Sequence, residues 1–282
     1  MILNEGVLCK MSLLYHYTSL ETLALILKNK TIRFNTLSAV DDLEEAKTKD
    51  MGSFGQYAYV SCWTKSAEES IPLWKMYTSD MTGVRIALPE YPFVRHHYTE
   101  GNFYFIKDVD TYINYQQVFE DDKVSIVATD PHLEEIQYTN DENDLFPVIK
   151  HESYPGIVDD FLNNCASEGS FSYDLQKLGK YKRNIWSFQE EVRYIIMAMP
   201  MGMKEKLSFD GNANKELIRR LNCLELTCTD MYLELDNDAL SSLQVTLGPK
   251  MNESQTLLLQ SLLHEYCPNA KVRESSLKNK IR

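Results

Sequence analysis

Three groups of residues in the chain have types and spacings that could do chemistry. Glu191 opens the run Glu-Val-Arg-Tyr-Ile-Ile-Met-Ala-Met, the strongest candidate for a buried strand. Side chains alternate across a strand, so Gln189, Glu191 and Arg193 share one face while Glu190 and Val192 take the other. A carboxylate in an apolar strand is costly to bury unless it is paired or used. One reading is a structural Glu191–Arg193 pair at a sheet rim; the other is a working carboxylate. His16, flanked by Tyr15 and Tyr17 with Thr18 next, is either a core histidine with satisfied nitrogens or a donor to a ligand hydroxyl. Trp74 and Tyr77 stand at i and i+3, on one helical face. That face is an ordinary aromatic packing surface or the wall of a pocket for a flat heterocycle.

The elements that must position these groups are legible from periodicity. Residues 13–17 read as a short strand, followed by a helix capped at Thr18 or Ser19. Leu20, Leu23, Ile26 and Leu27 recur at helical spacing, and Asn29 is the stop. Residues 31–34 alternate as a second strand, and an acidic turn follows at 41–45. Residues 57–63 form an aromatic and β-branched strand. A helix over 66–77 is expected, with Glu68 and Glu69 favouring the positive end of its dipole. Further strands are expected at 83–88, 102–107 and 123–128, and helices around 157–165 and 173–183. The tail reads as strands 230–235 and 243–247, helix 253–265 and strand 271–275. The simplest organisation is one α/β (α+β) domain over 1–282, with a variable helical and loop insertion at about 130–183.

Composition narrows the function classes. At 282 residues, with 44% hydrophobic and 25% charged residues, the chain can bury a substantial core. Its net charge of −12, from 41 acids against 29 bases, is opposite to that of a protein held to nucleic acid by phosphate neutralisation. Lys177, Lys180, Lys182 and Arg183 form one candidate basic patch. Six cysteines, at 9, 62, 165, 223, 228 and 267, make no Cys-x-x-Cys pair and no zinc spacing. Several sit in apolar runs, such as Cys62 in Tyr-Val-Ser-Cys-Trp, where a free buried thiol is expected, and scattered cysteines fit a reducing cytosol. The opening Met-Ile-Leu-Asn-Glu-Gly lacks a basic region with an apolar run behind it, and no segment has the length of a membrane span. No Gly-x-Gly-x-x-Gly or phosphate loop is present, which disfavours a Rossmann dehydrogenase or P-loop enzyme.

An ordered set of motifs adds a resemblance. Leu-Tyr-His-Tyr-Thr-Ser, Thr-Ile-Arg-Phe-Asn, Asp-Asp-Leu-Glu-Glu, Leu-Trp-Lys-Met-Tyr, Gly-Val-Arg-Ile, Tyr-Lys and Trp-Ser-Phe-Gln-Glu-Glu-Val-Arg follow one another, with Val-Thr-Leu-Gly-Pro and Lys-Val-Arg-Glu-Ser-Ser in the tail. Over residues 13 to 276 this order resembles the bacterial uncharacterised-domain family numbered two-nine-seven-one. The acidic turn departs from that family's Asn-Asp-Pro-Phe-Glu: Asp42 and Glu45 fit, but the proline and phenylalanine are absent, so the turn receives no role.

More loosely, the layout is similar to ADP-ribosyltransferases of the His-Tyr-Glu type, an analogy between folds. The resemblance implies a mixed β-sheet core with flanking and inserted helices, NAD as substrate and no metal. It implies Glu191 as the catalytic carboxylate on the nicotinamide ribose, stabilising an oxocarbenium-like sugar. His16 would hold the adenine-side ribose, with Thr18 beside it, and Gln189 would position an acceptor. Tyr59, Trp74 or Tyr77 would stack on nicotinamide. Arg33, Arg85 or Lys75 would meet the pyrophosphate. The acceptor would be a protein or nucleic acid, and a toxin or anti-phage role is the expected setting. The alternatives are an NAD glycohydrolase with the same site, and a non-catalytic nucleotide-sensing module working with a partner protein. A third is a metal-dependent hydrolase or nuclease using Asp41, Asp42, Glu44 and Glu45, although such a cluster is more often a solvated turn.

Overall fold

The computed structural model describes residues 12–165, 168–209 and 211–281, so Cys9 and the opening segment lie outside the described residues. The described residues form two compact units, one drawn from 12–30, 63–93 and 235–281, the other from 31–62 and the described part of 94–234. Both are of the mixed α/β class that the sequence predicts. The division falls inside the strand Ala58–Thr64, after Cys62.

In the first unit the strand Leu13–Thr18 pairs antiparallel with Val84–Pro89, from Leu13 opposite Pro89 to Thr18 opposite Val84. On its other edge Val84–Pro89 pairs antiparallel with Gln244–Leu247, and that strand pairs in parallel with Lys271–Arg273. A parallel step needs a crossover, here the helix Glu253–Tyr266, which Asn252 and Gln255 cap reciprocally. Every residue of Val84–Pro89 is buried, as for a strand covered on both faces. The helix Leu20–Asn29 begins at Ser19, whose hydroxyl accepts from the Thr22 amide, and buries Leu23, Ile26 and Leu27.

One helix starts later than its periodicity suggests. It spans Ile71–Tyr77, with Ser70 as cap and a proline in its first turn, so Glu68 and Glu69 precede it. The reason lies in Arg85, whose guanidinium donates to the Ala67 and Glu68 carbonyls at 3.0–3.1 Å and holds them away from a helical ladder.

In the second unit Thr31–Thr36 lies between Asp230–Glu234 and the strand beginning at Ala58. The long strand Glu191–Met199 pairs with that same strand and, antiparallel, with His132–Glu135 and Ser125–Ile126. Val192, Tyr194, Ile195, Ile196 and Ala198 are buried along it. Each large apolar side chain buried there contributes about 1.5–3 kcal/mol.

Two expectations fail in this unit. Residues 102–107 are not a strand: Asn102–Tyr104 is a tight turn, with φ positive at Gly101, Phe103 and Tyr104, which an extended ladder cannot accept. Residues 173–183 are not a helix. Phe171–Tyr173 and Tyr181–Arg183 are strands, the latter parallel to Gln137–Thr139. Gly179 between them sits at φ +75°, and a Cβ there would come within 3.1–3.2 Å of Leu37 and Ile195.

Candidate active site

Within the second unit, three stretches far apart in sequence converge on one buried group of charges. Glu191 is the first residue of its strand. Gln189 is not in that strand but ends the 3-10 turn Asn184–Gln189, and Glu190 turns the chain at φ +42°. Lys182 is the middle residue of Tyr181–Arg183, opposite Tyr138, whose hydroxyl accepts from the Glu191 amide at 2.9 Å. Glu45 comes from the acidic turn, which is closed by hydrogen bonds from the Glu44 and Glu45 amides to Asp42. Gly55 fixes that turn: its amide donates to the Ala46 carbonyl at 2.8 Å, and a Cβ on it would lie 2.6 Å from Ala46 Cα.

The contacts form a closed ring of ion pairs. The Glu191 carboxylate accepts from Lys182 Nζ and from Arg193 Nε, both at 2.7 Å, and Arg193 Nη2 is ion-paired with it at 2.6 Å. Glu45 meets Lys182 at 3.0 Å and Arg193 Nη1 at 2.5 Å. Lys182 also donates to Gln189 Oε1 at 2.7 Å and sits 5.3 Å from the centre of the Trp186 ring. The four charged side chains are between 0% and 5% exposed, so solvent screens them little. The Glu191–Arg193 pair of the structural reading is therefore present, and it is buried. The acidic turn is likewise not simply solvated, since Asp42 and Glu45 are buried.

The electrostatics separate the two carboxylates. Burial alone would raise the pKa of Glu191, but Arg193 and Lys182, with a hydrogen bond from the Cys62 thiol, bring it below the ordinary carboxylate value. Burial dominates for Glu45 and raises its pKa against the pull of the same two cations, while Glu191 repels it. Lys182 loses basicity to burial, but Glu191 and Glu45 outweigh this and raise its pKa. Burial, then Glu191, push the Cys62 thiol well above its usual range. At neutral pH the ring therefore holds Glu191 ionised, while burial favours the protonated form of Glu45.

The other expected residues of this unit are engaged elsewhere. Tyr59 is buried and donates through its hydroxyl to the Cys228 carbonyl at 2.7 Å. Arg33 is ion-paired with Asp230, its Nε 2.6 Å from the carboxylate. The basic patch dissolves into pairs: Lys177 with Asp144, Lys180 with Glu134, Arg183 with Glu44, and Lys182 inside the ring.

In the first unit His16 lies opposite Ile86, half-exposed, its imidazole 5.0 Å from the Trp63 ring. Tyr15 and Tyr17 point to the other face, where Arg85 lies 4.6 Å above the Tyr15 ring. Arg85 is 1% exposed and holds the 67–68 backbone, while Lys75 pairs with Asp80. Thr18 is buried. Trp74 is fully buried, packs edge-on against Tyr17 at 4.9 Å and donates its indole N–H to Glu69 at 3.0 Å; Tyr77 flanks the same cluster.

Sequence reasoning missed Glu45, Lys182 and Cys62 as neighbours of Glu191. The signal available was the motif order, since Asp-Asp-Leu-Glu-Glu, Tyr-Lys and Gln-Glu-Glu-Val-Arg each send one or more side chains into the ring. Among the described cysteines, Cys267 is buried, Cys62 and Cys228 are half-buried, and Cys165 and Cys223 are exposed. No group of three or more potential metal ligands occurs among the described residues, and no described helix is long and apolar enough to cross a membrane. No family model, no curated protein and no solved structure matches this chain.

Proposed function

We propose that the chain is an ADP-ribosyltransferase-like enzyme that cleaves the nicotinamide–ribose bond of NAD and passes ADP-ribose to a macromolecular acceptor. The observation that supports this reading is the Glu191 carboxylate, held ionised inside the second unit by Arg193 and Lys182. A fixed negative charge in a water-poor setting stabilises positive charge developing on a sugar more than the same group in water does. The bond from C1′ to the pyridinium nitrogen breaks, and its electron pair leaves with nicotinamide. The acceptor oxygen or nitrogen then bonds to C1′ and releases its proton. A ribose hydroxyl donating to Glu191 would take the place of one Lys182 hydrogen bond. With water as acceptor the same step is NAD hydrolysis. The bacterial family resemblance and a cytoplasmic toxin or anti-phage role belong to this proposal. The test is nicotinamide release from NAD by the purified chain and by Glu191→Gln.

A second reading is favoured by the pairing within the ring. Two acidic side chains matched by two basic ones at 2.5–3.0 Å make a self-contained structural element. A nucleotide-sensing module working through a partner protein would then bind NAD in calorimetry and release no nicotinamide.

A further inference from the structure

Within the second unit the ends of three helices border an open cavity of about 400 Å³. Sites for small molecules typically span about 300–1,000 Å³. One wall is Leu162, the last residue of the helix Ile157–Leu162, with Asn163 after it. Another is Phe209, which follows the helix Met203–Ser208. The third is the helix Ala213–Asn222, preceded by Asn212 and carrying Lys215 and Arg219. Those two cations are four residues apart, so they stand on one helical face. Glu45, Lys182, Glu191 and Arg193 take no part in the lining.

The groups facing the cavity are unevenly engaged. Glu216, in the same lining, is saturated. Its carboxylate accepts from Arg219 Nε at 2.9 Å and Nη2 at 2.6 Å, and from Arg220 Nε at 2.9 Å. The Arg219 guanidinium, with Arg220 behind it, brings the Glu216 carboxyl down to about 2. Arg219 has thus given its fork to Glu216, with Nη2 also 3.3 Å from Glu225, and its Nη1 has no partner among the described residues. Lys215 Nζ donates to Asn164 Oδ1 at 3.0 Å and makes no ion pair among the described residues. The side-chain amides of Asn163 and Asn212 make no hydrogen bond there, and the Phe209 ring pairs with no other ring.

We propose that this cavity binds a phosphomonoester that carries a flat ring, the chemistry of a nucleoside monophosphate. Three features specify that class. Phe209 and Leu162 offer an aromatic and an apolar surface on which a flat ring stacks. Asn163 and Asn212 each bring amide donors and an acceptor oxygen, the complement of a base edge. Lys215 and Arg219 Nη1 supply positive donors aimed singly, which suit the several oxygens of a tetrahedral phosphate. A carboxylate is held best by the two-pronged fork, and Glu216 already has it. The site uses no residue of the Glu191 ring, so it goes beyond the NAD reaction proposed above and does not rest on it.

The test measures binding of adenosine monophosphate to the full chain. Calorimetry gives the affinity, and the side-chain amide signals of Asn163 and Asn212 in nuclear magnetic resonance give the location. The nucleotide should bind saturably and shift both signals, with adenosine alone and inorganic phosphate alone each about ten-fold or more weaker. Lys215→Gln should weaken the nucleotide by about ten-fold and leave adenosine where it was, since it removes charge from the phosphate end. Phe209→Leu should weaken nucleotide and adenosine together by about ten-fold, the scale of one lost base–aromatic stack. If Phe209→Leu does not fold, Lys215→Gln carries the comparison, because it only exchanges a charged head group for a neutral amide. Absence of saturable binding, or binding that leaves the Asn163 and Asn212 signals in place, would overturn the site. Equal losses of nucleotide and adenosine affinity in Lys215→Gln would overturn the assignment of the phosphate end. No step of the test needs NAD cleavage, so this site and the Glu191 reaction fail separately.

Discussion

The guanidinium of Arg193 meets the carboxylate of Glu45 at 2.5 Å across 148 positions of sequence, and both side chains are almost completely buried. That contact closes the ring in which Arg193 and Lys182 each bind both Glu45 and Glu191. A ring of this kind is demanding, because removing one member leaves an opposite charge buried without compensation.

Arg193→Met therefore destabilises the second unit by about 3–5 kcal/mol, since two carboxylates then share Lys182 alone. Urea denaturation followed by circular dichroism measures this. Adding Glu45→Gln to Arg193→Met restores charge balance and should recover part of the loss. A double variant as unstable as the sum of the single ones would show that the two residues act independently.

The two carboxylates give stability opposite dependences on pH. Glu191 titrates below its unfolded value of 4.5, so its contribution is present above 4.5 and is lost as pH falls through the depressed folded value. Glu45 titrates above 4.5, so the folded state holds its proton more tightly and this contribution fades as pH rises from 4.5 through the raised value. Thermal melting against pH checks both signs. Glu191→Gln should flatten the acid-side rise, and Glu45→Gln should flatten the fall on the other side of 4.5. Unchanged slopes in both variants would mean that neither group shifts on folding.

Gly55→Ala should destabilise by about 1–3 kcal/mol through overpacking. The added methyl would lie 2.6 Å from Ala46 Cα and 2.9 Å from its carbonyl oxygen, both backbone atoms that cannot swing aside. Because Ala46 follows Glu45, amide exchange should also quicken in the acidic turn. A stable variant with an unchanged turn would show that the backbone yields there at little cost.

Strong local periodicity made much of the fold legible. The strand at Leu13, the helix from Leu20, the strand from Glu191 and the helix from Glu253 lie where apolar spacing and caps put them. The misreadings share a cause, which is that long-range partners overrode local preference. Residues 173–183 carry helical spacing, but Gly179 turns the chain and Tyr181–Arg183 pairs with Gln137–Thr139. The helix expected from Ser66 is delayed because Arg85 takes the Ala67 and Glu68 carbonyls. In the candidate site Glu191 and Gln189 were visible as polar residues at the head of an apolar strand. Glu45 looked like part of a solvated turn and Lys182 like part of a basic patch, because a charge reveals its partner only once the chain is folded.

The catalytic proposal is most exposed at Lys182. If Glu191 supplies the field for NAD cleavage, Glu191→Gln should lower nicotinamide release by about a hundred-fold or more, the scale on which one preorganised electrostatic contact acts. Lys182→Met keeps the carboxylate but removes a cation 2.7 Å away that helps hold its pKa down. The acid limb of the pH–rate profile should then move to higher pH, because Glu191 must still ionise and now does so less readily. Lys182→Arg should move it back toward wild type by restoring the charge. A purely structural lysine would instead lower stability and leave the profile of the surviving folded enzyme where it was. Steady-state release of nicotinamide across the acid range, for the three variants and wild type at matched folded fraction, separates these outcomes.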